Sequence, residues 1–337
     1  MKAIGYSHSR PIDAIDSLLD IVLPEPTPGP RDLLVEVRAI SVNPVDTKVR
    51  QRAEPPAGAY KVLGWDAAGV VRAVGSEVSL FRPGDRVFYA GDLTRAGSNA
   101  ELQVVDERIV GHMPASLDFA QAAALPLTSI TAWELLFERL QIAEGAASAG
   151  QSLLIVGAAG GVGSILCQLA RQLTGLTVIG TASRADTQQW VRDLGAHQVI
   201  DHSKPLSEEL QRIGIAQVSH VASLTHTDAH LEQIVAALRP QGRLALIDDP
   251  DSLNVSLLKQ KSLSLHWEFM YTRSMFQTED MIEQHRLLDR VAQLIDQGVL
   301  RTTLGEHFGR IDASNLRRAH ALLESGKAKG KIVLEGF

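Results

Sequence analysis

The residues with the clearest chemical purpose lie mid-chain, in Leu153-Leu154-Ile155-Val156-Gly157-Ala158-Ala159-Gly160-Gly161-Val162-Gly163-Ser164. Four apolar residues predict a buried strand. A glycine turn follows, and Ile165, Leu166, Leu169, Ala170 and Leu173 then recur at helical spacing. Gly157 lets the chain turn out of the strand, and Gly160 and Gly161 carry no Cβ, so a pyrophosphate can approach the backbone. Gly163 lets the helix pack closely on the sheet. The backbone N–H groups from Gly160 through Val162 then open a helix whose N-terminus favours anions. A second strand, Thr177-Val178-Ile179-Gly180-Thr181-Ala182, follows at the distance of a βαβ unit, so the spacing predicts a dinucleotide site.

The end of that second strand selects the dinucleotide. An acidic side chain there accepts from a ribose 2′-OH, whereas this chain has Ser183-Arg184. A hydroxyl and a guanidinium suit a 2′-phosphate, which Arg grips with two charge-assisted hydrogen bonds. NADPH is therefore the expected cofactor. Ser223-Leu224-Thr225 and Ile247-Asp248-Asp249 follow later strand candidates and fall at the carboxyl-end crevice of the same sheet.

These groups need a scaffold, and 337 residues suffice for two domains. With 33 basic and 39 acidic residues, the balance is mildly acidic and no basic tract is present, which disfavours nucleic acid as a partner. The single cysteine, Cys167, rules out a disulfide within the chain and reads as a small core residue. The N-terminus lacks the apolar core of a signal peptide, and no apolar run is long enough to cross a bilayer, so a cytoplasmic location is expected.

Residues up to about Asp118 read as β-rich, with strands at Leu33–Val42, at Ala67–Val74 and after the Pro83-Gly84-Asp85 turn, and suggest a compact barrel. Beyond an alanine-rich stretch interrupted at Pro126, Ser129–Leu140 predicts a helix. From Gln151 strands and helices alternate, which means a parallel sheet with helices on both faces; the helix Ala229–Leu238 and the strand Gly242–Ile247 belong to it. Leu263, Leu265 and Trp267 alternate with polar residues, so that strand shows two different faces. A long amphipathic helix spans Glu279–Gln297, a short one Ala313–Leu323, and a last strand Lys331–Leu334 is expected to return to the first domain.

The chain resembles the medium-chain dehydrogenases/reductases, and their zinc-free quinone-oxidoreductase branch in particular. The residues that carry the likeness are Val42–Lys48, Gly64–Val71, Phe81–Val87, Ala123–Trp133, the glycine turn and Gly330–Leu334. Tyr89-Ala90-Gly91-Asp92 and Ser98-Asn99-Ala100-Glu101 look like a group usually labelled zinc-type alcohol dehydrogenase-like. The resemblance implies an α/β fold: a GroES-like barrel domain, expected over 1–125 and 272–337, and a Rossmann domain over 126–271, with an active-site cleft between them. It also implies dimers that pair Rossmann edge strands, for which Leu263–Trp267 is the candidate.

Zinc enzymes of this superfamily usually take a Cys or Asp ligand from the Val42–Lys48 region and a His-Glu pair after the glycine near Gly64. This chain has Asn43 and Asp46 in the first place and Trp65-Asp66 in the second, and it lacks the cysteines of a structural zinc lobe. No His-Glu-x-x-His pattern occurs, and Asp46 with Asp66 is at most a site for a stray cation. Without a Lewis acid, hydride delivery to an already activated acceptor, a quinone or an α,β-unsaturated carbonyl, is the easier reaction. The family's cleft positions supply Asn43, Lys48 and Tyr60 as candidate donors to the acceptor oxygen, with Trp65, Tyr89, Phe269 and Tyr271 lining the pocket. Thr128, Thr131 and Lys331 join the cofactor set. The expected protein is an NADPH-dependent, zinc-independent reductase of quinones or enones. A zinc alcohol dehydrogenase, and an NADPH-binding redox sensor without turnover, remain the alternatives.

Overall fold

The computed structural model describes residues 1–337. The first segment carries strands β1 (Lys2–Tyr6), β2 (Leu19–Val22) and β3 (Asp32–Val42), helix α1 (Pro44–Arg52), then β4 (Lys61–Val62), β5 (Ala67–Val74), β6 (Arg86–Tyr89), β7 (Leu102–Asp106) and β8 (Val110–His112). Helices α2 (Phe119–Ala123) and α3 (Pro126–Trp133) follow. Next come β9 (Ser152–Val156), α4 (Gly161–Leu173), β10 (Thr177–Thr181), α5 (Ala185–Asp193), β11 (Gln198–Ile200), α6 (Leu206–Arg212), β12 (Val218–Ser223), α7 (Thr227–Ala237), β13 (Leu238–Leu246) and β14 (Ser264–Trp267). The chain ends with α8 (Thr272–Phe276), α9 (Glu283–Asp296), β15 (Leu304–His307), α10 (Ala313–Glu324) and β16 (Lys331–Glu335).

The chain divides into two compact units, one of Met1–Ile130 with Tyr271–Phe337, the other Thr131–Met270. In the first, a seven-stranded sheet runs β15-β16-β3-β5-β6-β8, with β7 also paired to β3, beside a three-stranded sheet β2-β1-β4. The long strand β3 alternates inward Leu33, Val35, Val37 and Ala39 with more accessible residues, as a half-buried strand must. The last strand β16 pairs antiparallel with the end of β3, setting Ile332 opposite Val42.

The second unit is a six-stranded sheet in the order β11-β10-β9-β12-β13-β14, every pair parallel. Counted from β9 this is the order 3-2-1-4-5-6 of a doubly wound dinucleotide-binding sheet, whose direction of winding reverses between β9 and β12. The core strand β9 is apolar throughout Leu153–Val156 because both its faces are covered.

Three element boundaries differ from the sequence reading. Pro126 opens helix α3 instead of interrupting one, since a proline at the first helical position gives up an N–H that has no partner there anyway. Beyond Trp133 the turn widens into a π-helical segment, Glu134–Arg139. The strand expected from Gly242 begins at Leu238, directly after α7; Pro240 and Gly242 lie in the irregular stretch between its first pair with β12, at Leu238, and the regular register from Arg243.

Candidate active site

Two groups of side chains with chemical potential emerge, one in each unit. In the first unit β3 ends at Val42, and Asn43 caps α1 with Pro44 at its first position. The capping is one-sided: the Asp46 carboxylate accepts the Asn43 backbone N–H at 2.7 Å, while the Asn43 side chain turns elsewhere. Its amide donates to Asp66 Oδ2 at 2.8 Å, and its carbonyl accepts from the Lys331 ammonium. Lys331 also donates to the Val42 carbonyl at 2.9 Å and stands 2.9 Å from Asp66 Oδ2.

Asp66 reaches this place through Gly64, which turns at φ +111° where any Cβ would strike Asn99 and Ser98 at 2.5 Å. Its other oxygen accepts the Leu127 N–H at 2.7 Å, so it also sits on the N-terminal turn of α3, which favours a negative charge. Asn43, Asp46, Asp66 and Lys331 are all buried, Lys331 only 3 % exposed. Burial pushes the Asp66 carboxyl pKa up, opposed by Lys331, Leu127 and Asn43. Burial pushes Asp46 up to about 7, with the Asp66 charge adding to the rise, and its Oδ1 has no hydrogen-bond partner. The Tyr271 phenol is held well above its usual range by burial and then by the charges of Asp46, Asp66 and Asp92.

The other first-unit candidates stand around this cluster in different ways. Trp65 is buried beside Asp66 in the chain, and its indole N–H donates to the Asp92 carbonyl at 3.2 Å. Tyr89 is buried, pairs with Ala67 across β5 and β6, and its hydroxyl has no partner. Thr128 is buried and donates to the Leu125 carbonyl at 3.1 Å. Lys48 is half-buried on α1, and Tyr60 is 47 % exposed just before β4. The polar cluster therefore unites Asn43 and Lys331 from the expected set with Asp46 and Asp66, which the sequence had suggested only for a stray cation.

In the second unit, Gly157 leaves β9 at φ +85° and its N–H donates to the Thr181 hydroxyl at 3.0 Å. Gly160 caps α4 without any side-chain bond, and a Cβ there would meet nothing nearer than the Gly157 carbonyl at 3.6 Å. A Cβ on Gly163 would instead meet the Ala158 backbone and the Gly157 carbonyl at 2.6 Å, so this glycine lets the helix pack closely on the turn that leads into it. Gly161 and Val162 form the first helical turn, partly accessible. The uncapped turn and the open space above Gly160 fit a dinucleotide pyrophosphate.

Ser183 and Arg184 are exposed beyond β10, and no acidic residue intervenes between strand and guanidinium. Arg184 contacts Asp186 at 3.3 Å, both about half exposed, a pair worth little in water. Ser223 is buried against Thr227 at 2.8 Å, and Leu224 follows at the end of β12. Ile247 extends β13 by donating its N–H to Ser223 at 3.4 Å. Thr131 is buried, Phe269 is 47 % exposed, and Cys167 lies in the core, its thiol pushed up to about 12 by burial.

Comparison with known proteins agrees with this architecture. Residues 29–115 match the alcohol dehydrogenase GroES-like domain, and residues 194–334 match a zinc-binding dehydrogenase family. A zinc-type alcohol dehydrogenase-like protein of Staphylococcus epidermidis is 40 % identical over 336 residues, 99 % of each chain. Among solved structures, a Rhizobium etli CFN 42 protein provisionally named a zinc-dependent alcohol dehydrogenase is 57 % identical over 100 % of this chain and 98 % of its own, with a TM-score of 0.96. The Escherichia coli quinone oxidoreductase complexed with NADPH is 27 % identical over 99 % of this chain and 100 % of its own, with a TM-score of 0.84. The chain belongs to the medium-chain dehydrogenase/reductase superfamily. It is an oxidoreductase of that superfamily, with a GroES-like domain and a Rossmann-type domain.

The zinc in several of these names can be tested against the side chains. A zinc ion needs at least three N, S or O donors converging on it. Asp66 already carries the Lys331 ammonium, the Asn43 amide and the Leu127 N–H, and a dication beside that ammonium would be repelled. Trp65 offers no lone pair to a metal, and no group of three or more His, Cys, Asp or Glu is arranged to hold one. The residues present do not fit a catalytic zinc.

Proposed function

We propose that this protein transfers hydride from NADPH to a quinone or an α,β-unsaturated carbonyl without a metal. The observation that carries the reading is the Lys331–Asp66 pair: the buried carboxylate that a metal would need is already neutralised by an ammonium 2.9 Å away. An alcohol has no Lewis acid there to lower its pKa, whereas an activated acceptor needs none. The similarity to a quinone oxidoreductase with bound NADPH supports the same direction.

In this reading the backbone of Gly157, Gly160, Gly161, Val162 and Gly163 receives the pyrophosphate, and Ser183 with Arg184 receives the 2′-phosphate. Thr128, Thr131, Ser223, Leu224 and Ile247 accompany the remainder of the dinucleotide. When bound, the dinucleotide supplies hydride from its nicotinamide C4. Lys48 and Tyr60 are the donors assigned to the acceptor oxygen, the ammonium stabilising its charge and the Tyr60 hydroxyl returning a proton. Asn43 and Lys331 act one step back, holding Asp66 and the start of α1 rigid. Trp65, Tyr89, Phe269 and Tyr271 supply apolar walls that exclude water.

The test is NADPH oxidation, followed at the nicotinamide absorbance, with quinones, enones and simple aldehydes, each with and without a chelator. Quinone or enone reduction that resists chelation is the expected result. Aldehyde reduction abolished by the chelator, or tight NADPH binding with no acceptor reduced, would overturn the reading.

A further inference from the structure

Three histidines that look scattered in the sequence meet at the carboxyl ends of the parallel strands. His202 follows β11, His226 follows β12, and His230 lies in the first turn of α7. The His202 and His230 ring centroids are 6.5 Å apart. His202 Nδ1 bonds the Thr181 hydroxyl at 3.2 Å, and that same hydroxyl accepts the Gly157 N–H of the glycine turn. His226 Nδ1 bonds the Thr225 hydroxyl at 2.7 Å. Both rings thus have Nδ1 occupied by a threonine, which leaves Nε2 as the nitrogen for an outside group. The Nδ1 of His230 is shut off from solvent with no partner at all. His226 is moreover held at φ +51°, a left-handed conformation uncommon for a side-chain-bearing residue and a mark of local constraint.

This trio shares a rim with Thr181, two residues before Ser183. We propose that His202, His226 and His230 form a proton-coupled subsite for the adenosine 2′-phosphate, which grips the phosphate more tightly as His202 and His230 take up protons. The inference rests on the NADPH reading and adds to it the groups, beyond Arg184, that would discriminate NADPH from NADH.

Electrostatics supports the coupling. Burial lowers the His202 pKa, assisted by the His226 charge and opposed by Asp201. Burial also lowers that of His230, assisted by His202 and His226 and opposed by Asp228. Asp201 faces His202 and Asp228 faces His230, each carboxylate partly offsetting the effect of the neighbouring rings, while Asp248 is engaged by the Thr227 N–H at 2.8 Å. Burial and the neighbouring imidazoles therefore disfavour protonation of His202 and His230 until an anion arrives. A phosphate with its second pKa near about 6 is matched to that range. Anion binding raises the His202 and His230 pKa values, so the gain in affinity is full below their free values and is lost as pH rises through their bound values.

The experiment is calorimetric binding of adenosine 2′,5′-bisphosphate and of adenosine 5′-monophosphate to the full chain from pH 5.5 to 8.5, in buffers of different ionisation enthalpy. Imidazole proton resonances are followed in parallel. The expected result is proton uptake with the bisphosphate alone, and a preference for it that grows at least fivefold from pH 8 to 6.5. His202→Gln should flatten this dependence, and His226→Asn should lower the preference for the bisphosphate; asparagine tolerates the left-handed backbone at that position. A preference for the bisphosphate that is independent of pH and of both variants would overturn the subsite and leave the NADPH reading standing. No preference at any pH would overturn both. If a variant fails to fold, the resonances of the unmutated protein decide: unshifted imidazole titrations on adding the bisphosphate refute the proposal.

Discussion

The buried Lys331–Asp66 pair makes a quantitative prediction. At 2.9 Å and an effective dielectric of about 20, the attraction is about 6 kcal/mol, before desolvation of the two charges is subtracted. Lys331→Met keeps most of the side-chain volume and removes the charge. Asp66 then remains buried with only the Asn43 amide and the Leu127 N–H as donors. Breaking a buried pair from one side typically costs about 3–5 kcal/mol, which for a domain of this size is a fall in Tm of about 10 °C. The loss should be largest at pH 8 and shrink toward pH 5, because the orphaned carboxyl escapes its penalty by taking a proton. The double variant Lys331→Met/Asp66→Asn should regain at least half the loss, since an amide can keep the Leu127 contact without a charge. Urea unfolding followed by circular dichroism at both pH values measures all three proteins. A single variant within about 1 kcal/mol of the unmutated protein, or a double variant worse than the single, would refute the assignment of a charged, mutually dependent pair.

Two further expectations concern single sites. The Asp46 carboxyl, raised by burial to about 7, binds its proton more tightly folded than unfolded. Its contribution is therefore present at low pH and lost as pH rises through about 7, a fall of about 1.4 kcal/mol between pH 6 and 8 that thermal unfolding of Asp46→Asn should not show. In the glycine turn, Gly160→Ala meets no atom closer than 3.6 Å, so Tm should hold while NADPH affinity, read by calorimetry, falls at least about tenfold. Gly163→Ala, with the Gly157 and Ala158 backbone 2.6 Å from its new Cβ, should instead lower Tm by crowding the helix against the glycine turn.

What the amino-acid order determined by itself is whatever depends on neighbours in the chain. The glycine turn was legible because strand, turn and helix are contiguous in the chain, and Gly163 is held by the backbone of Gly157 and Ala158 a few residues before it. The alternation of strands and helices from Gln151 onward likewise implied the parallel sheet, and Ser183-Arg184 could be placed at a strand end by counting. The polar cluster was a different matter. Lys331 stands 288 positions from Asn43, and only the antiparallel pairing of β16 with β3 delivers its ammonium to that carbonyl. Read along the chain, Lys331 belonged with the cofactor residues, Asn43 with the groups that touch substrate, and Asp66 with a stray metal. The histidines followed the same logic. His202 and His226 lie on separate βα turns, and parallel strands, which bring all their carboxyl ends to one rim, set them together. Local spacing is a property of the sequence, because helices and strands are built from short-range geometry. Which charges share a buried space is decided by sheet pairing, and sheet pairing joins residues that the chain itself keeps far apart.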